Sequence, residues 1–149
     1  MGDAQFIPAL VQFASNATQL QAAQDVAAKR LFAYDSEKFP TDACAITLSV
    51  LLQDAGINVQ DTFMAIDLGN VLMQRGWQVI EIGEQEQGDV GSTCGTQPEH
   101  GVDHIYLVLQ AVDANDMVVA DNQEPQPHPR TVSGHDDISP TRFFLRASA

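Results

Sequence analysis

An α+β domain, with N-terminal helices packed on an antiparallel β-sheet, is predicted by three observations. Apolar residues recur every three or four positions through the first half of the chain, alternation by two takes over near Trp77, and turn-rich links join the strand-like segments that follow. The 149 residues are 44% hydrophobic and 18% charged. A chain of this size fits one domain over 1–149, burying about 68–70% of its unfolded surface.

Phe6, Leu10, Phe13, Ala17, Leu20, Ala23, Ala27 and Leu31 lie in steps of three and four, which predicts one amphipathic helix over 6–31, straight or kinked. Gln12, Asn16, Gln19, Gln21 and Gln24 make its other face neutral and polar, which favours packing on a core over lying on a membrane. Pro40 disfavours helix at Phe39, and Thr41 or Asp42 can cap a second helix from Ala43 to Ala55. In that helix Cys44, Leu48, Leu51 and Ala55 look inward, and Gly56 closes it. A third helix from Asp61 to Gln74 turns Met64, Leu68, Val71 and Leu72 inward and ends at Arg75-Gly76.

Trp77 to Ile82 then alternates as a strand, with Trp77 and Val79 on one face and Gln78, Ile80 and Ile82 on the other. Gly83 to Gly101 holds five glycines and few apolar residues, so it reads as a long functional or mobile loop. Strands over Val102 to Val112 and Met117 to Ala120 are joined by Asp113-Ala114-Asn115-Asp116. Asp121 to Pro140, with four prolines, reads as irregular, and Arg142 to Leu145 as the last strand. Trp77, Tyr106, Phe143 and Phe144 fit core or sheet-face positions better than a ligand platform.

Seven Lys and Arg against twenty Asp and Glu give a net charge of -13. Such a chain lacks the cationic surface that neutralises phosphates, and no stretch approaches the roughly eighteen apolar residues of a membrane span. Neither nucleic acid nor membrane is expected as a partner, and the chain reads as a soluble monomer. Met1 to Val11 shows no basic segment followed by an apolar run, so no signal peptide is expected in the sequence, and secretion or a periplasmic destination is compatible with it. Two cysteines, Cys44 and Cys94, are too few for a disulfide framework.

Cys44 falls in the first turn of its helix, where the positive end of the helix dipole and unpaired N–H groups favour a thiolate. A buried structural cysteine is the plain alternative. His104 opens a strand and Asp121-Asn122 end its hairpin partner, so a base and an orienting group can lie side by side, as a Cys-His-Asp or Cys-His-Asn relay requires. Cys94, in Gly91-Ser92-Thr93-Cys94-Gly95, can be a second nucleophile, a disulfide partner for Cys44 or a free thiol; a free or regulatory thiol is favoured. Cys94, His100, Asp103 and His104 can be drawn around a metal, but their spacing matches no common zinc pattern, and neither metal nor cofactor is expected. His128 and His135 read as surface residues.

From Asp42 to Asn122 the sequence resembles the papain-like cysteine peptidases of bacteria, in particular the NlpC/P60 and CHAP amidases and endopeptidases. The resemblance rests on Asp42-Ala43-Cys44 opening a helix that ends Asp54-Ala55-Gly56-Ile57, on Gln87-Gly88-Asp89-Val90, on His104 before an apolar strand, and on a polar residue ending the next strand. It implies a catalytic core over about 40–147, Cys44 as nucleophile, His104 as general base and Asp121 as the group orienting it, with Asn122 as the competing third member. The usual Asp-Cys-Ser is replaced by Ala43-Cys44-Ala45-Ile46, which looks more like the papain-like amidase effectors delivered between competing bacteria.

The implied reaction is hydrolysis of an amide through an acyl-enzyme, with peptidoglycan stem peptides as substrate and an immunity or inhibitor protein as a further partner. A deamidase or acyltransferase acting on a protein, and a non-catalytic binding domain with a structural cysteine, are the other classes. Ten of the twenty acidic residues lie between Glu81 and Glu124, and Arg75 is the only basic residue from Phe39 to Pro129. That clustering predicts an acidic field at the site, a stabilised protonated His104, a preference for amine-bearing substrates, and activity that weakens with salt.

Overall fold

The computed structural model describes residues 2–149. Among them, a short 3-10 helix at Asp3–Phe6 leads into α1 (Ile7–Ser15) and α2 (Ala17–Asp35), so the single helix expected over 6–31 is two. Asn16 makes the break: its backbone is extended, its side chain accepts from the Gln19 N–H, and it caps α2. Restarting the helix there moves the buried stripe to Leu10, Ala14, Leu20, Ala23, Ala27 and Leu31, with Ala17 left exposed.

α3 (Cys44–Asp54) is the central element, with every residue from Cys44 to Leu52 buried. A helix apolar all round needs neighbours on every side, and α1, α2, α4 (Ala65–Gln74) and the sheet supply them. Its cap residue is Ala43, with no side-chain bond, so neither Thr41 nor Asp42 caps it as expected. Its C-terminus closes as foreseen: Gly56 takes a positive φ of 102°, its N–H bonds the Gln53 carbonyl and that of Ile57 the Leu52 carbonyl. α4 starts four residues later than expected because Asp61 and Thr62 are held elsewhere. Asp61 accepts from Arg30 and Gln53, and the Thr62 N–H bonds the Ser49 hydroxyl.

Among the described residues six strands form one antiparallel sheet: β1 (Gln78–Ile80), β2 (Val90–Ser92), β3 (Ile105–Ala111), β4 (Asp116–Ala120), β5 (His128–Thr131) and β6 (Phe143–Arg146), in the order β1-β6-β2-β3-β4-β5. Two of these strands lie where the sequence predicts loops. β2 sits at the centre of the sheet inside the 83–101 segment, and its composition hides it. Gly91 pairs with Tyr106, whose ring would collide with any Cβ there, so the middle of this three-residue strand cannot carry a side chain and only Val90 is left to announce it. β5 contains Pro129, which a sheet tolerates at its edge, where β5 lies.

β1 corrects a face assignment. Trp77 precedes the strand and is buried, donating its indole N–H to Asp3, while Val79 is exposed and Ile80 packs inward. One sheet face presents Val90, Leu107, Leu109, Ala120 and Leu145 to the helices. The other carries a smaller cluster of Tyr106, Val108, Met117, Val119, Val132 and Phe144. No described helix is long and apolar enough to cross a membrane.

Candidate active site

The site forms where the N-terminus of α3 meets the ends of β3, β4 and β5. Cys44 is the first residue of α3, 8% exposed, with its Sγ 3.9 Å from the Asp103 carbonyl. The first N–H groups of a helix have no partner within it, and those of Cys44 and Ala45 find no acceptor among the described residues. The sequence therefore places a thiol beside unpaired donors simply by starting the helix at Cys44.

His104 stands just ahead of β3 and is pinned by its backbone. Its N–H donates to the Thr93 hydroxyl at 2.9 Å, and its carbonyl accepts from the Thr93 N–H at 3.0 Å. Alternation along β3 puts its ring on the Tyr106 side, 5.8 Å from that ring between centroids. Nε2 of His104 lies 2.8 Å from Oδ2 of Asp121, which leaves Nδ1 as the nitrogen able to meet the thiol. Asp121 is itself held: the Gln123 N–H donates to its Oδ1 at 2.8 Å, and Gln24 of α2 donates to its backbone carbonyl at 2.8 Å.

The electrostatics follow from burial and these bonds. Burial acts to lower the His104 pKa, but the Asp121 hydrogen bond, with hydrogen bonding and charge from Cys44, outweighs it and the imidazole is pushed up to about 9. Burial likewise opposes a charged Asp121, yet hydrogen bonds from His104 and His128 hold its carboxyl well below the usual carboxylate range.

Of the residues singled out in the sequence, Cys44, His104 and Asn122 line one open cavity of about 490 Å³, with Asp121 directly behind His104. Asn122 does not meet His104. Its Nδ2 donates to the Pro40 carbonyl at 2.8 Å, tying the β4 end to the segment ahead of α3. Cys94 is not on a loose loop: Val90 to Cys94 are all buried, and burial pushes the free Cys94 thiol up to about 11. Cys94, His100, Asp103 and His104 do not converge as metal ligands among the described residues. The group that does is Glu37, Asp42 and His100, with His100 Nε2 2.8 Å from Asp42 and 3.7 Å from Glu37.

One expectation about a basic residue is corrected, and a second basic residue enters the site unannounced. His128, expected on the surface, donates from or accepts at Nε2, 2.9 Å from Oδ1 of Asp121, so one carboxylate stands between two imidazoles. The Asp121 hydrogen bond raises the His128 pKa against partial burial. His135 is exposed as expected. Arg130 is buried and lines the cavity. Both lie two apart on β5, and that alternation within His128-Pro129-Arg130-Thr131 is the signal that could have found them. The acidic field is also less local than the sequence suggests. Asp89 and Glu86 pair with Arg146, and Asp113 in the β3–β4 turn accepts from the N–H of Asp116 at the start of β4, while Asp42, Asp103 and Asp137 line the cavity alongside Arg130.

These features define an α+β domain that presents a thiol, an imidazole and a carboxylate in line at one cavity. No protein-family model matches the chain, and neither a curated protein nor a solved structure matches it significantly.

Proposed function

We propose that this protein is a thiol-dependent amide hydrolase, a papain-like cysteine peptidase or amidase of the NlpC/P60 or CHAP kind, acting on peptidoglycan stem peptides. The observation that carries the reading is Cys44 at the bare N-terminus of α3 beside His104, whose far nitrogen is bonded to Asp121. His104 takes the thiol proton at Nδ1, and the Cys44 sulfur attacks the amide carbonyl carbon. The N–H groups of Cys44 and Ala45 receive the oxygen that becomes negative, a contribution worth about 10²–10³ in kcat per donor in comparable sites. As the C–N bond breaks, His104 returns the proton to the leaving amine. Water, deprotonated by the same imidazole, then attacks the thioester and frees the acid and the thiol.

Asp121 holds the tautomer with hydrogen on Nε2 and stabilises the imidazolium in both steps. A wall substrate puts the working enzyme outside the cytoplasm, in the periplasm or beyond. The test is digestion of purified peptidoglycan with mass analysis of the fragments. New amine and carboxyl ends within the stem peptide are expected, absent with Cys44→Ala. An intact sacculus after treatment with folded, thiol-reduced protein would refute the wall substrate, and a folded Cys44→Ala variant as active as wild type would refute the nucleophile.

A further inference from the structure

Three arginines of this protein hold carboxylates: Arg30 meets Asp61, Arg75 meets Asp3 and Arg146 meets Asp89, each at 2.8 Å. Arg130 is more buried than any of them, at 5% exposure, and forms no ion pair among the described residues. Its guanidinium carbon stands 4.7 Å from the centre of the Tyr106 ring, and its Nη2 donates to the Ser139 carbonyl at 2.9 Å. Its Nε is buried without an acceptor. A guanidinium presents a planar fork of donors that fits a carboxylate, and an unpaired buried charge is costly to keep. The ring and the carbonyl fix the orientation of the fork and leave its charge without a carboxylate partner at the wall of the Cys44 cavity. A second wall group is also unsatisfied: the Oδ1 of Asn122, buried and with no donor, is free to accept an N–H.

We propose that Arg130 is a carboxylate-binding subsite, so that the substrate carries a free carboxylate which pairs with the guanidinium while its amide lies over Cys44. This names a substrate feature for the hydrolase reading and rests on it. It also reverses the preference for amines expected from the acidic sequence. The net charge of -13 repels an anion at long range, so any preference for one must come from a local cation. Asn122 completes the recognition by accepting an N–H of the same residue.

The test uses three matched pairs of thiol alkylators: N-bromoacetyl glycine, β-alanine and 4-aminobutyrate, each as the acid and as its carboxamide. Sulfur displaces bromide in every case, and labelling of Cys44 is read by peptide mass beside glutathione as reference. At least one acid is expected to label Cys44 about tenfold faster than its amide, relative to the glutathione ratio. Arg130→Gln is expected to return that ratio to the glutathione value, and Arg130→Lys to keep part of it. Acid-to-amide ratios at or below glutathione for all three lengths in the wild type overturn the proposal, whether or not the buried Arg130 variants fold. So does a preference that survives in folded Arg130→Gln. Failure of the hydrolase reading looks different: Cys44 then reacts with iodoacetamide no faster than glutathione does, and His104→Asn changes nothing, while the acid-to-amide ratio is still measured.

Discussion

On the helix side of the sheet, Val90, Leu107, Ala120 and Leu145 are covered by helices and offer only apolar surface. The opposite face begins in the same way with Tyr106, Val108, Val119 and Phe144, but at the ends of β3, β4 and β5 it becomes polar, with His104, Asp121, His128 and Arg130 in one patch. The strand order explains the patch: β3, β4 and β5 are neighbours, so His104, Asp121 and His128 fall side by side without any loop having to be threaded. One face is held by burial, which tolerates changes of pH and salt. The polar end of the other is held by charge-assisted hydrogen bonds, which do not. Stability and activity should therefore respond to different residues.

The largest effect is expected at the polar end. Cys44→Ala should lower hydrolysis by about 10⁴-fold or more while changing stability by about 1 kcal/mol or less, measured as fragment release and urea unfolding. Loss of folding instead would make Cys44 a core residue and merge the two faces into one role. Leu51→Ala is the converse. Leu51 is 1% exposed in the middle of α3, and its truncation should cost about 2–5 kcal/mol of stability. Activity per folded molecule should stay within about twofold, because the cavity wall at Cys44 and His104 is untouched.

The helix side was legible in the sequence because burial writes a period. The start of α3 at Cys44, its Gly56 closure and the approach of His104 to the Asp121-Asn122 end of β4 follow from spacing and local chemistry, while the choice of Asp121 over Asn122 as the partner of His104 is made by the fold. What escaped were features whose reason lies across the fold. β2 has Gly91 because Tyr106 occupies the space a side chain would need. β5 can hold a proline because no strand pairs with its outer edge among the described residues; its His128 looks like a surface residue until β4 places Asp121 against it, and Arg130 gives no signal until β3 places Tyr106 under its guanidinium. Asn16 breaks a stripe that continues on both sides of it, so periodicity alone runs straight through.

A smaller effect is expected at His128, which touches Asp121 but not the cavity's thiol. His128→Gln removes the second imidazole from the shared carboxylate and should reduce kcat by about 2- to 10-fold. With less competition for Asp121, the His104 imidazole should titrate higher than its wild-type value of about 9, read by NMR of labelled histidine. A His104 titration unchanged in the folded variant would mean the two imidazoles do not share the carboxylate.

The smallest and most discriminating effect is on stability against pH. The folded His104 value of about 9 exceeds the ordinary 6.5, so protonation favours the folded state; that contribution is complete below pH 6.5 and is lost as pH rises through about 9. His128 is shifted in the same direction and adds to it. Asp121 has the opposite sign: its depressed value means its contribution is present above the ordinary 3.8 and is lost as pH falls through the lowered value. Urea midpoints should therefore decline between pH 6.5 and 9.5 in the wild type. Leu51→Ala should lower the whole curve without changing that slope, because it touches only apolar contacts. Cys44→Ala should flatten the alkaline decline, because the thiol is one of the groups that raise His104. Equal slopes in all three proteins would show that the polar patch is not coupled through Cys44, and the division between the two faces would then lie elsewhere than at the N-terminus of α3.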